Sequence, residues 1–178
     1  MLLLDRQGAK PDIFARIEAV DAAVGDAVLA PFALVDDLLA QRGENRRIGV
    51  SIDNTVKAEA LEPYFDRLAL IVIAFPSGTD GRGFSLARQL RRLGFKGILR
   101  ASGPLFSDQF PQALACGFHE VEIPDANAAR QPIAQWLAAA NRISLSYQRN
   151  LGDAENILDL RSGVKPAQEK DAEENDNV

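Results

Sequence analysis

Four short apolar runs recur along the chain with amphipathic stretches between them, and this alternation constrains the fold more than any other feature. The runs are Arg47 to Asp53, Ala69 to Phe75, Gly97 to Ser102 and Glu120 to Pro124. Each is rich in β-branched residues and bounded by Gly, Pro, Asp or Asn, as buried strands are. Strands alternating with helices form right-handed βαβ units, and hence a parallel sheet covered by helices on both faces. The expected fold is α/β: a single three-layer domain over residues 1–164, Rossmann-like or flavodoxin-like, with a mostly parallel sheet of about five to six strands. With 178 residues, 47% of them hydrophobic, the chain can bury a core of that size.

The stretches between the runs have helical spacing. Lys57 to Leu68 places Leu61, Phe65 and Leu68 together, and Phe84 to Leu93 places Leu86, Leu90 and Leu93 on one face. Asp108 to Cys116 predicts a shorter helix, ended by Gly117 as a left-handed cap with Phe118 packing behind it. Upstream, Ala27 to Ala30 predicts a strand, and Pro31 starts a helix over Phe32 to Arg42. Leu2 to Asp5 suits an edge strand, while Asp12 to Ala23 is amphipathic and fits either a helix or irregular cover. Asp125 to Arg142 predicts a helix with Ile133, Trp136 and Leu137 inward, followed by an edge strand over Ile143 to Tyr147. Residues 165–178 are acidic and almost without large apolar side chains, so a disordered tail is expected there.

Composition removes several function classes. A net charge of −5 argues against broad attraction to nucleic acid. The apolar start, Met1 to Asp5, is too short for a signal peptide, and no apolar run approaches the ~18 residues of a membrane span. A soluble, cytoplasmic protein is expected. Cys116 and His119 are the only cysteine and histidine, which leaves no disulfide within the chain and no all-cysteine metal or iron–sulfur site. No metal is expected, and no cofactor is evident.

The richest local chemistry lies between Ile71 and Arg88, where a strand runs through a glycine turn into a helix. The turn gathers backbone N–H groups, a helix N-terminus and a guanidinium at one end of a strand, a place suited to a small oxyanion or phosphate. Asp80, Gly81, Arg82, Gly83 and Ser85 are the candidate anion-binding residues, with Ser85 as a cap for the following helix. Arg100, charged within an otherwise apolar strand, either joins Arg82 on the anion or pairs with Asp80, Asp108 or Glu122. Asp80 also suits a turn former bonding the N–H groups that follow it. Gly78, Gly81 and Gly83 serve equally for close packing of helix on strand. Their spacing matches neither G-x-G-x-x-G nor a Walker A loop. Cys116 reads as a packed core thiol, and His119 as a residue beside a helix C-terminus.

Phe75-Pro76, Thr79-Asp-Gly-Arg-Gly-Phe-Ser-Leu-Ala-Arg88, Gly97-Ile-Leu-Arg-Ala101, Asp108-Gln109 and Cys116-Gly-Phe118 together resemble the bacterial domain-of-unknown-function 934 family, over roughly Val28 to Ile123. Members carry the provisional label of oxidoreductases of sulfite reduction, given for their association with sulfite reductase and other sulfate-assimilation proteins. The resemblance implies a pathway and brings no catalytic residues with it. Two departures stand out: Gly103-Pro-Leu-Phe106 where relatives often read Gly-Asp-Val-Leu, and Ser77 where a basic residue is common. Three functions follow as expectations. One is an oxidoreductase or accessory component of assimilatory sulfite reduction with an oxyanion site in the Gly78–Ser85 turn. Another is a non-catalytic module docking on sulfite reductase, aided by the exposed row Arg88, Arg91 and Arg92. The last is a small-anion sensor.

Overall fold

The computed structural model describes residues 1–20, 25–41 and 47–141. The chain divides after Arg142 into two compact units, and the described residues belong to the first. The expected edge strand at Ile143 to Tyr147 and the acidic tail at 165–178 lie outside the described residues. Among the described residues, no helix is long and apolar enough to cross a membrane.

The fold is mixed α/β around one mostly parallel sheet. Its strands are β1 (Leu2–Asp5), β2 (Gly8–Ala9), β3 (Ala15–Arg16), β4 (Ala27–Pro31), β5 (Arg47–Ile52), β6 (Leu68–Ala74), β7 (Ile98–Ser102) and β8 (Glu120–Ile123). They lie in the order β2-β1-β8-β7-β6-β5-β4-β3. β3 to β8 form parallel neighbours, whereas β1 runs antiparallel to both β8 and β2. The four apolar runs are thus strands β5 to β8, and Ala27–Pro31 is a fifth. The sheet has eight strands rather than five to six. The surplus includes β2 and β3, two residues each and too short for any periodicity to register.

The strand order corrects the expected Rossmann-like or flavodoxin-like arrangement. Such sheets reverse direction at a switch point, but here β4 to β8 follow one another across the sheet in chain order. Right-handed crossovers that always advance the same way fall on the same face. The helices are found there. α1 (Val35–Gln41), α2 (Arg82–Arg92), α3 (Phe110–Ala115) and α5 (Ile133–Ala140) bury Val35, Leu38, Leu86, Leu90, Ala113 and Trp136 in one cluster. That cluster contains Val50, Ile71, Ile73, Leu99 and Val121 from a single face of the sheet. Among the described residues no helix joins the smaller cluster on the opposite face, formed by Phe14, Ala27, Leu29, Leu70 and Val72.

That opposite face is the inside of a curl. Five steps separate β8 from β3, about 24 Å in a flat sheet at ~4.8 Å per step. Yet Arg16 on β3 is ion-paired with Glu122 on β8, and Asp12 just ahead of β3 reaches Arg100 on β7 at 2.6 Å. No two side chains bridge the flat distance, so the sheet must bend its edges toward each other.

Proline marks where helical spacing misleads. The stretch from Ala58 to Tyr64 is a run of 3-10 turns with Pro63 inside, because proline lacks the N–H and crowds the preceding turn. Leu68 already belongs to β6. Pro132 likewise divides the expected 125–142 helix into α4 (Asp125–Ala128) and α5, leaving Trp136 buried and Ile133 exposed. Gly117 behaves as expected. It sits at φ +96°, its N–H bonds Leu114 O and the Phe118 N–H bonds Ala113 O, which is the Schellman pairing.

Candidate functional site

The glycine turn stands at the carboxyl end of β6, strapped to its neighbour β7. Past the end of β6, the Phe75 N–H still donates to Ser102 O at 2.7 Å, and Gly103 N donates to Glu122 O at 3.0 Å. Gly103 adopts φ +147°, and a Cβ there would overlap the Phe75 carbonyl oxygen, so only glycine fits. At Gly78 a Cβ would lie 2.6 Å from the Phe106 ring and 2.7 Å from Pro104 O. Gln109 Nε2 fastens the same turn by donating to Gly78 O at 2.7 Å, while its Oε1 accepts the Phe106 N–H at 2.9 Å. Gly83 lies flat against the Phe75 ring, with no room for a side chain. Gly78 and Gly83 therefore serve close packing. Gly81 does not: it has ordinary φ and open space beside it.

Helix α2 opens at Arg82 with Gly81 as its N-cap. Ser85 is already inside the helix, three residues past its first position, so it cannot act as the cap. No side chain caps this end, and its first turn holds no acidic residue. The preceding Asp80 takes part of that role. Its carboxylate accepts the Arg82 N–H at 3.2 Å, and Arg82 Nε and Nη2 donate to it at 3.0 and 2.6 Å. Donation from Arg82, aided by the facing Asn54 amide, holds the Asp80 carboxyl well below the usual carboxylate range. Asn54 follows β5 and is 7% exposed. Its Nδ2 lies near enough to Asp80 to favour the charged form, but it makes no hydrogen bond of ordinary geometry with any group among the described residues. Leaving a buried donor unpaired is costly. Arg82 itself is 62% exposed, so its remaining N–H donors face outward.

Arg100 is elsewhere. It points from β7 into the curl, 1% exposed, on the face away from α2. Its Nε donates to Glu120 at 2.7 Å, and Nη1 and Nη2 donate to the two Asp12 oxygens at 2.6 and 2.9 Å. Glu122 stands 3.7 Å from Nη1, and Lys10 reaches Glu120 at 2.5 Å. Of the candidate residues, the structure brings Asp80, Gly81, Arg82 and Gly83 together and separates Arg100 from them. The ion-pair alternative described Arg100 correctly in kind, although its main partners are Glu120 and Asp12. Burial alone would push Asp12 up, but donation from Arg100 and the Phe14 N–H, together with the charges of Arg100 and Arg16, outweighs it and holds Asp12 below the ordinary aspartate value.

The remaining sequence candidates are structural. Cys116 is buried, and burial pushes its thiol up from the ordinary value. Arg91 is not part of a solvated row. Its guanidinium donates to Gly117 O, Phe95 O and Gly97 O at 2.7 to 3.0 Å, leaving Arg88 and Arg92 exposed on that helix. In the sequence Asn54 is marked only by its place just after the run ending at Asp53, and Phe106 only as a departure from the family pattern. Phe106 is 48% exposed beside Gly78.

A family model described as "Bacterial protein of unknown function (DUF934)" matches residues 49–158, which hold Asn54, the glycine turn, Arg100 and Phe106. No curated protein matches the chain.

Proposed function

The chain belongs to the bacterial DUF934 family of unknown function, and from that premise we propose that it is an accessory component of assimilatory sulfite reduction that binds a small oxyanion at the carboxyl ends of β5 and β6. Buried Asn54 carries this reading: its Nδ2 faces the Asp80 carboxylate yet makes no hydrogen bond of ordinary geometry among the described residues, so it stays free to donate to a further acceptor. The N-terminus of α2, capped only in part by Asp80, the outward N–H groups of Arg82 and the open space at Gly81 support it. A tetrahedral or pyramidal oxyanion would accept from these donors and compete with Asp80 for Arg82. The assignment to sulfite reduction rests on the sequence resemblance alone.

Titration of the purified protein with sulfite, sulfate and phosphate tests the site. A bound anion at a hundred times its dissociation constant should stabilise the fold by about 2.7 kcal/mol, seen as a rise in melting temperature. Arg82→Ala should weaken binding by about 1.5–3 kcal/mol, the worth of a charge-assisted hydrogen bond. If none of the three anions shifts the melting temperature, the reading fails.

A further inference from the structure

The core does not explain the position of Phe106 at this end of the sheet. Its backbone is pinned by Gln109, and its ring abuts Gly78 so closely that residue 78 has no room for a Cβ. Nevertheless 48% of the residue is exposed. A fixed, half-open aromatic surface costs apolar exposure and suits stacking by another planar ring. It also borders the oxyanion donors. Gly78 and Asp80 are two residues apart, at most ~7 Å along the chain, and the turn is tightened by the Asp80 N–H to Ser77 O bond. Ring surface and anion donors thus lie on opposite ends of one short turn.

From this juxtaposition we infer that the oxyanion bound at this turn is the anionic group of a mononucleotide-type molecule: a planar heteroaromatic ring joined through a sugar or polyol to one phosphoryl or sulfo group. The ring stacks on Phe106, and the anionic group takes the donors of Asn54, Arg82 and the α2 N-terminus. The inference rests on the oxyanion reading above and adds the ring to it. Adenine and isoalloxazine nucleotides share this chemistry.

Isothermal titration of the full chain with phosphate, sulfate, AMP and FMN, and with adenosine and riboflavin as anion-free controls, tests it. AMP or FMN should bind ten- to a hundredfold more tightly than phosphate, the range expected of one stacked ring. Which of the two binds more tightly identifies the ring. Phe106→Ala should bring the mononucleotide down to the affinity of phosphate, and Phe106→Tyr should restore the difference. Arg82→Ala should weaken mononucleotide and phosphate alike. Phosphate and sulfate binding as tightly as both mononucleotides would overturn the inference and leave the oxyanion reading standing. Binding of none of the six compounds would overturn both.

Discussion

His119 shows how partners fix the state of a single residue. Its Nδ1 faces two donors, the Leu99 N–H at 3.2 Å and Arg91 Nη2 at 2.9 Å, so that nitrogen must be an acceptor and the ring proton belongs on Nε2. Partial desolvation of the ring, followed by the Arg91 charge, holds its pKa below the ordinary 6.5. The unfolded chain therefore takes up this proton before the folded one. Stability is complete above about pH 6.5 and declines as pH falls toward the folded value. As the only histidine, its NMR titration is unambiguous. The midpoint in the folded protein should fall below 6.5, and a midpoint at or above that value contradicts the geometry. Sequence placed this residue beside a helix end, but the Arg91 contact spans 28 residues and has no local signal.

At the level of elements, glycine carries two different meanings in one neighbourhood. Gly103 must be glycine, by φ and by its contact with the Phe75 carbonyl, whereas Gly81 has neither constraint. Gly103→Ala should therefore destabilise the fold by more than about 1 kcal/mol, while Gly81→Ala should change stability by less than about 0.5 kcal/mol. Urea unfolding of the two variants decides it; equal effects would mean that the turn is not built as described. Helix and strand positions were largely readable, because the apolar runs and the Gly117 cap are local signals. Over 57–68 and 125–142 the sequence predicts longer helices than form. Apolar spacing continued through Pro63 and Pro132, and the backbone could not follow it.

Across the whole molecule, the inner face of the curl is held by ion pairs that join the first sixteen residues to β7 and β8. Arg100 is the centre, bonded to Glu120 and Asp12. Removing one partner of a buried pair leaves the others uncompensated, so Arg100→Ala should cost about 3–5 kcal/mol. Asp12→Asn should cost less, because Glu120 still pairs with Arg100. Urea denaturation of both proteins gives the comparison, and an Arg100→Ala protein as stable as wild type would refute a stabilising network. Charges at alternate positions, Glu120 and Glu122, one strand from Arg100, were the sequence sign of a polar inner face.

By itself the sequence determined the main strands, the Gly117 cap, the parallel pairing of its apolar runs and the family, because strand length, glycine caps and motif spacing are written locally. Among the described residues, tertiary structure decided the order of the strands, the gathering of helices on one face, the removal of Arg100 from the turn and the burial of the Asn54 amide beside Asp80. Those depend on which distant segments meet when the sheet curls: Asp12 lies 88 residues from Arg100, and only folding brings the two charges into contact.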